Sequence, residues 1–494
     1  MLTKWNLIVC FSVNFFILVS CKKEIKTPDE IPVPITRIDG QLLKDSIYYY
    51  YKLYSLWESN IPKYDIISRF TDSARSSQDV LSKLMALTPK YTGYSSYGGT
   101  YDRFSYFSEL GDGAASASII KMDKNDGFGL FFSLGAIDSD TAYPFIYMVE
   151  GGSPANVAGI KRSDMVLSLN DIDTKIDVDC SSGTCEPKDS QKYNAIIALL
   201  TNSLNESSMR IKLQNSEDKI ESYSLNNKTY EINPLLADTV FEFTNRNVGY
   251  LAYSSFEEIE NDNENQRNLD QVFDNFEKDN IKDLIVDLRY NGGGYVNAAV
   301  YFADKIINSS GKGKLMVKYE LNEYLSRNKN SVGSSFKDVF FTKNNALELE
   351  TVCFVVSDNT ASAAEMLINV LKPYMNVKIV AEGNSTYGKP VGFFEQKIMG
   401  EIGLWVTSFK LQNANSESDY WSGIEADRKN ITDYIFVNFA DKEEKMIEAA
   451  LTYTGAIMPV SLRAKKASGA SSRGTNKIMM GAVTPIEQKG ALKL

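Results

Sequence analysis

Three short segments carry the residue types from which a hydrolytic site can be built. The first, Asp287-Leu288-Arg289-Tyr290-Asn291-Gly292-Gly293-Gly294, runs from a strand end into three glycines and then a helix. Glycines there let N–H groups point outward beside a helix N-terminus, which suits an oxyanion hole or a phosphate site. A plain tight turn accounts for the same residues. The second, Ser357-Asp358-Asn359-Thr360-Ala361-Ser362-Ala363-Ala364-Glu365, places Ser362 in the first turn of a helix. Unpaired N–H groups and the helix dipole favour negative charge at that point; an ordinary helix cap is the competing reading. The third, Thr386-Tyr387-Gly388-Lys389-Pro390-Val391-Gly392, sets a lysine between glycine and proline, with Phe393 and Phe394 following. Seen alone, Lys389 reads as a surface lysine.

The chain contains no histidine. Every mechanism that needs an imidazole base or ligand is therefore excluded, and a hydrolase built on this sequence must use Lys, Asp, Glu, Tyr or a terminal amine. No Cys-x-x-Cys pair supports a zinc site, and no metal or cofactor is expected. Spacing links the second and third segments. A helix of about 12 residues from Ser362 is ~18 Å long. The chain turns at Pro373-Tyr374-Met375-Asn376, and the strand through Glu382 runs back over a similar distance, returning Lys389 to the start of the Ser362 helix. A Ser–Lys pair is a histidine-free nucleophile and base. Lys389 must then be neutral to accept a proton, so burial has to lower its pKa. A carboxylate would oppose this, and Glu365, three residues along the helix, is expected to face backbone N–H groups or an arginine instead.

The elements that must position these residues follow from pattern. The 494 residues suggest about three domains. A 43% hydrophobic and 12% aromatic composition can fill sizeable cores, and a net charge of −10 argues against a nucleic-acid partner. Residues 1–20 carry Lys4 and an apolar run from Leu7 to Val19, a secretory signal too short for an ordinary membrane span. Residues 21–40 are a polar, proline-containing linker. Residues 41–112 read as a helical N-terminal domain, with Leu43, Ile47, Tyr50, Tyr54 and Trp57 on one helix face. The tyrosines there serve core packing or, alternatively, glycan or peptide binding. Residues 113–230 change to short strands with one helix at 191–203. Cys180 and Cys185 bracket a polar loop that a local disulfide can close, and Cys353 lies in an apolar run as a buried thiol. Residues 231–458 alternate strands and helices: strands at 247–256, 283–289, 351–358 and 378–382, with helices between. That alternation predicts an α/β core with a largely parallel sheet, followed by antiparallel β over 391–411. Residues 459–494 are Gly/Ser/Ala/Lys-rich and read as a flexible, basic, solvated tail.

Several of these patterns resemble known families. Leu18-Val19-Ser20-Cys21 resembles a bacterial lipobox, which implies cleavage before Cys21, a lipid on that residue and anchoring in the bacterial cell envelope. Residues 113–230 resemble a PDZ domain of the bacterial type, on Ser153-Pro154-Ala155, Ala158-Gly159-Ile160, Asp164 and Val166-Leu167-Ser168-Leu169-Asn170. In such a module Gly127, Phe128, Gly129 and Leu130 would cradle a peptide carboxylate, and the strand after them would accept a peptide as an added strand beside the 191–203 helix. Core packing of the same residues is the alternative.

The catalytic region is similar to the C-terminal processing peptidases, or tail-specific proteases. The matching motifs are Asp287-Leu288-Arg289 with Asn291-Gly292-Gly293-Gly294, Ser362-Ala363-Ala364-Glu365, Tyr387-Gly388-Lys389, and Gly423-Ile424-Glu425-Ala426-Asp427. The resemblance implies a multidomain α/β protein with a helical N-terminal domain, a PDZ-like module and a ClpP/crotonase-like protease core. It implies Ser362 as nucleophile, Lys389 as base, and the Gly293 and Ala363 N–H groups as oxyanion hole. It also implies unfolded or C-terminally tagged proteins as substrates. The sequence departs from the family where a glutamine usually follows the lysine by four positions; here that residue is Phe393, and Gln396 or Glu395 is left to orient Lys389. A degenerate peptide- or glycan-binding lipoprotein is the main alternative. Ser326-Arg327-Asn328-Lys329 fits the Ser-x-x-Lys of penicillin-recognising enzymes but lacks a following Lys-Thr-Gly, and Ser310-Gly311-Lys312-Gly313-Lys314 lacks the spacing of a phosphate loop.

Overall fold

Two strands with apolar centres, Asp283–Asp287 and Thr351–Val356, are buried along their whole length, as strands covered on both faces must be. In the computed structural model, which describes residues 39–93, 99–109, 123–329, 336–456 and 477–484, they pair in parallel at the centre of a five-stranded sheet. Its order is Leu235–Glu242, Asn247–Tyr253, Asp283–Asp287, Thr351–Val356, Asn376–Ala381, antiparallel only at the first pair. Alternate strand residues feed two cores. Leu284, Val286, Val352, Phe354 and Val356 pack under the helices Glu264–Lys278, Val296–Ile306 and Ala363–Leu371. Ile285, Cys353 and Val355 face the helix Lys445–Leu451. Cys353 is a buried free thiol, its pKa pushed up by burial. The leader, Cys21 and the linker as far as residue 38 lie outside the described residues.

The β-rich module is a second sheet. Its strands run in the order Ile220–Asn226, Ser208–Gln214, Met165–Leu169, Thr141–Val149, Leu130–Ala136 and Ile478–Ala482. The helix Ser190–Ser203, capped by the Asp189 side chain on the N–H groups of Gln191 and Lys192, buries Ile196 and Leu200 against it. Cys180 and Cys185 form a disulfide. The last strand corrects the expectation of a solvated tail. Residues 478–482 leave a Gly/Ser/Lys-rich context as the short apolar stretch Ile478-Met479-Met480-Gly481-Ala482, and they complete the sheet edge.

The N-terminal region is less separate than its helical pattern predicts. Helix Asp39–Tyr54 buries Leu43 and Ile47 of the predicted face together with Tyr48 and Tyr51, and Tyr50 and Tyr54 pack half-buried against the same core, so its tyrosines serve packing. Tyr51 Oη donates to Asp102 Oδ2 at 2.5 Å. The helix Ser77–Met85, capped by Ser76 on the Asp79 N–H, packs on it. That core also takes in Ile398, Leu404 and Val406 from the far end of the chain. The segment Tyr106–Glu109, read as part of a helical domain, is instead a strand paired with Ile402–Trp405.

A buried charge cluster locks the modules together. Arg289, just beyond the Asp283–Asp287 strand, donates to Asp287, Asp433 and Glu444 at 2.7–2.9 Å from its terminal nitrogens. Glu444 also caps the Lys445–Leu451 helix through the N–H groups of Met446 and Ile447. From the β-rich module, Arg162 reaches Asp433 at 2.6 Å and the Tyr147 carbonyl at 2.7 Å, and it also meets the Tyr290 hydroxyl. Burial alone would raise Asp433, but the two guanidinium groups hold it down at about 2. Replacing Arg289 with alanine leaves buried Asp287 and Glu444 without a cation and Asp433 with Arg162 alone. The expected loss is about 3–5 kcal/mol of stability, read as a lower urea midpoint. An unchanged midpoint would show that the cluster does not hold the fold.

Candidate active site

Both loops that carry the predicted chemistry emerge at the C-terminal ends of neighbouring parallel strands, where such sheets place their sites. Hydrogen bonds sew them to one another. Ser357 Oγ donates to the Arg289 carbonyl at 2.5 Å, Thr360 Oγ1 to the Leu288 carbonyl at 2.7 Å, and the Ala361 N–H to the Asn291 carbonyl at 3.2 Å. The third segment joins through the Tyr387 N–H, which donates to the Thr360 carbonyl at 2.9 Å.

Ser362 sits immediately before the helix Ala363–Leu371 with φ 58° and ψ −115°. A non-glycine residue rarely occupies that region, and such strain persists only where its surroundings impose it. Here the imposing group is Glu365. Its fully buried carboxylate takes four donors: Oε2 accepts from the N–H groups of Ser362 (2.9 Å) and Lys389 (2.8 Å), and Oε1 accepts from the Gly388 N–H (2.7 Å) and Thr386 Oγ1 (2.5 Å). The Thr386 hydroxyl in turn accepts from the Ile424 N–H at 2.7 Å, tying in the Gly423–Asp427 motif. The backbones of Ser362 and Lys389 are thus separated by no more than two hydrogen bonds to one oxygen. Burial lifts the Glu365 carboxyl to about 7, against the four donors that favour its charged form. Gly388 makes the close approach feasible: its φ is +97°, and a Cβ would stand 2.3 Å from the Trp421 carbonyl oxygen.

Lys389 is 5% exposed. Burial lowers its amine to about 8, with the Glu365 charge pulling the other way. Nζ lies 4.8 Å from the Phe393 ring centre and 5.6 Å from that of Phe104. Phe104 belongs to the N-terminal region and is held there by Arg103, whose guanidinium stacks 4.4 Å from its ring centre and donates to the Gly388 and Trp421 carbonyls at 3.2 Å. Gln396 does not orient the lysine. It lies on the strand Glu395–Ile398, and its amide donates to the Lys397 carbonyl at 2.9 Å. Glu395 instead accepts from Ser108 Oγ at 3.3 Å. Aromatic faces occupy the place where a polar side chain was expected.

The oxyanion donors need a correction as well. Ala363 opens the helix, so its N–H belongs to the first turn, where amides lack helical partners. The Gly293 N–H, however, donates to Asn291 Oδ1 at 2.9 Å, while the Gly293 carbonyl accepts from the Phe256 N–H at 2.9 Å. In this structure that amide is satisfied within its own turn rather than open to an anion. Among the described residues no group of three or more Cys, Asp or Glu side chains is placed to hold a metal ion. Ser326 and Lys329 are exposed, at and just beyond the short helix Glu323–Asn328.

At the glycine turn of the β-rich module, Phe128 and Leu130 are buried in its core. The Phe128 carbonyl accepts from the Ala155 N–H at 3.1 Å, and the Gly129 carbonyl from the Glu150 N–H at 2.9 Å. Gly127 ends the strand Lys124–Gly127 opposite Lys228. Gly129 has φ +72°, and a Cβ there would lie 2.2 Å from that of Ser153, so only glycine fits.

Residues 247–429 match the model of peptidase family S41. The carboxy-terminal processing protease CtpA of Bacillus subtilis is 24% identical over 295 residues, 59% of this chain and 54% of that protein. A Staphylococcus aureus protein described as a CtpA-like serine protease is 24% identical over 243 residues, 49% of this chain and 40% of that one. The chain spans about half the length of these relatives. Among solved structures, a Bacteroides fragilis protein assigned to the S41 proteases aligns over 86% of this chain and 98% of its own, with a TM-score of 0.55 at 20% identity, which is a likeness of fold.

If Lys389 acts as a base, only its deprotonated amine can accept a proton, so kcat/KM rises with pH through about 8. Phe393→Ala admits water beside Nζ, weakens the desolvation and moves that limb upward; Phe393→Leu keeps the site dry and leaves it in place. A pH–rate profile of the three proteins checks this, and coincident limbs would remove Phe393 from the control of the amine.

Proposed function

We propose, from the premise that residues 247–429 of this chain form a peptidase family S41 domain, that the protein is a serine endopeptidase working through Ser362 and Lys389. The observation that carries this reading is the shared Glu365 carboxylate, which holds the backbones of a strained serine and a buried, pKa-lowered lysine side by side. Neutral Lys389 removes the Ser362 Oγ proton as Oγ attacks a peptide carbonyl. The oxyanion forms at the start of the Ala363–Leu371 helix, where the Ala363 N–H and the helix dipole favour it. A second donor requires the Gly293 N–H to leave Asn291. The lysine then returns its proton to the departing amine, and water repeats the sequence on the acyl-serine.

The β-rich module is read as PDZ-like, a site that takes unfolded or C-terminally tagged proteins by strand addition along Leu130–Ala136. The name of the Bacillus relative, a carboxy-terminal processing protease, fits substrates of that kind. Export and lipid attachment at Cys21 place the enzyme in the bacterial envelope, tethered rather than spanning. Among the described residues no helix is long and apolar enough to cross a membrane. A degenerate binder is the reading to be set aside by assay.

The purified chain is expected to hydrolyse unfolded casein. Ser362→Ala should reduce the rate to background, and Lys389→Ala should cost about 10²–10⁴-fold with the fold intact by circular dichroism. Equal hydrolysis by the wild type and Ser362→Ala, or none by either, would sink the peptidase reading. In an expressing bacterium, Cys21→Ala should release the protein from the membrane fraction; retention there would remove the lipid anchor.

A further inference from the structure

The edge of Leu130–Ala136, where an added strand would dock, is already taken by residues 477–484 of the same chain. The pairing is antiparallel: Ile478 lies opposite Ala136, Met479 opposite Gly135, Gly481 opposite Leu134 and Ala482 opposite Ser133, with a register shift at Met480. Beyond the ladder, the Val483 N–H donates to the Phe132 carbonyl at 2.8 Å, and the Phe132 N–H donates to Thr484 Oγ1 at 2.7 Å. Ser133 Oγ donates to the Gly481 carbonyl at 2.9 Å, and Tyr147 Oη to the Thr484 carbonyl at 2.6 Å. Ile478, Met480 and Val483 pack into the module core that includes Phe132, Ile196 and Leu200. Met479 faces the other way, against Phe145, Tyr147, Tyr290 and Phe436. The segment runs toward the start of the Leu130–Ala136 strand, the end at which the Gly127–Gly129 turn lies. A bound peptide with its C-terminus at that turn would have the same polarity.

We infer that residues 477–484 are an intramolecular ligand of the peptide groove, a built-in competitor that a substrate strand must displace. This rests on reading the module as a peptide-binding one, and it defines the class of strand that fits. Such a strand carries apolar side chains where Ile478, Met480 and Val483 stand, small residues at Gly481 and Ala482, and a hydroxyl at the Thr484 position. Backbone hydrogen bonds supply the attachment, and the alternate side chains supply the selection. A tethered ligand competes at a millimolar effective concentration, so a segment of micromolar affinity would weaken an incoming peptide by on the order of 10²–10³-fold.

The test uses a fluorescein-labelled peptide of residues 477–484, with Ser362→Ala in every protein so that the probe is not cut. Anisotropy titrations compare the full chain, a chain ending at Ala456, and the full chain with Met480→Asp and Val483→Asp, which disfavour docking without shortening the protein. The truncated and doubly substituted chains should bind at least tenfold more tightly than the intact one. Equal affinity in all three would overturn the inference, as would no binding by any of them. Casein hydrolysis by the chain with Ser362 restored is read separately. Lost hydrolysis with tail competition preserved defeats the peptidase reading alone, and preserved hydrolysis without competition defeats only the inference drawn here.

Discussion

The structure turns on where one carboxylate finds its donors. Glu365 lies fully buried in the first turn of a helix, a costly place for a charge unless every lone pair is used. Three backbone N–H groups and one hydroxyl use them. The donors come from either side of the Ala363–Leu371 helix and the strand that follows it, so the carboxylate closes the loop that brings Lys389 back to Ser362. Because all four partners donate, an amide could not replace it without setting a donor against a donor. The same contacts hold Ser362 in its unfavourable backbone conformation, so strain and positioning at Ser362 are two results of a single set of hydrogen bonds.

That arrangement creates a problem for the lysine. A carboxylate bonded to the Lys389 N–H also stabilises the ammonium form, whereas base chemistry needs the amine. Burial wins, bringing the group to about 8, because apolar surroundings close over Nζ while Glu365 spends its lone pairs on three backbone N–H groups and the Thr386 hydroxyl. Phe393 and Phe104 form part of that enclosure. An aromatic face attracts a cation modestly but offers no acceptor to hold the proton. The N-terminal region therefore belongs to the site as well as to the scaffold: Arg103 bonds the Gly388 and Trp421 carbonyls and stacks on Phe104, fixing the wall from outside the catalytic sheet.

What could be read from the sequence follows the range of the interactions. The central strands were legible because parallel strands covered on both faces are apolar without a break. The convergence of Ser362 and Lys389 was legible because a helix and its return strand have fixed rises. Glu365 was expected to face backbone N–H groups or an arginine, and three backbone N–H groups with the Thr386 hydroxyl take that place. Phe104 gave no local signal; its contact with Lys389 spans most of the chain and depends on a strand pairing, Tyr106–Glu109 with Ile402–Trp405, inside a region whose pattern reads as helical. Gln396 drew attention by its type, but strand alternation there turns its amide to the Lys397 carbonyl. The Ile478–Ala482 strand is five residues long in a biased tail, and a short apolar run acquires meaning only beside the open edge that receives it.

The two sites differ in how replaceable their contacts are. The Ser362 and Lys389 loops are held by buried, charge-assisted bonds: Glu365 for the two backbones, and Arg289 with Asp287, Asp433 and Glu444 beneath them. Losing one partner leaves an uncompensated buried charge, so these contacts favour permanence. The tail strand is held by a backbone ladder and a few flexible apolar side chains. Any chain carries the same amides and carbonyls, and methionine packing tolerates substitution. Displacing the tail therefore exchanges like for like along the strand, and the net free energy of exchange reduces to differences at a few side-chain positions and to the tether. On the proposed reading, such a near-balanced exchange would let the groove distinguish among substrate strands while the Ser362–Lys389 pair stays fixed.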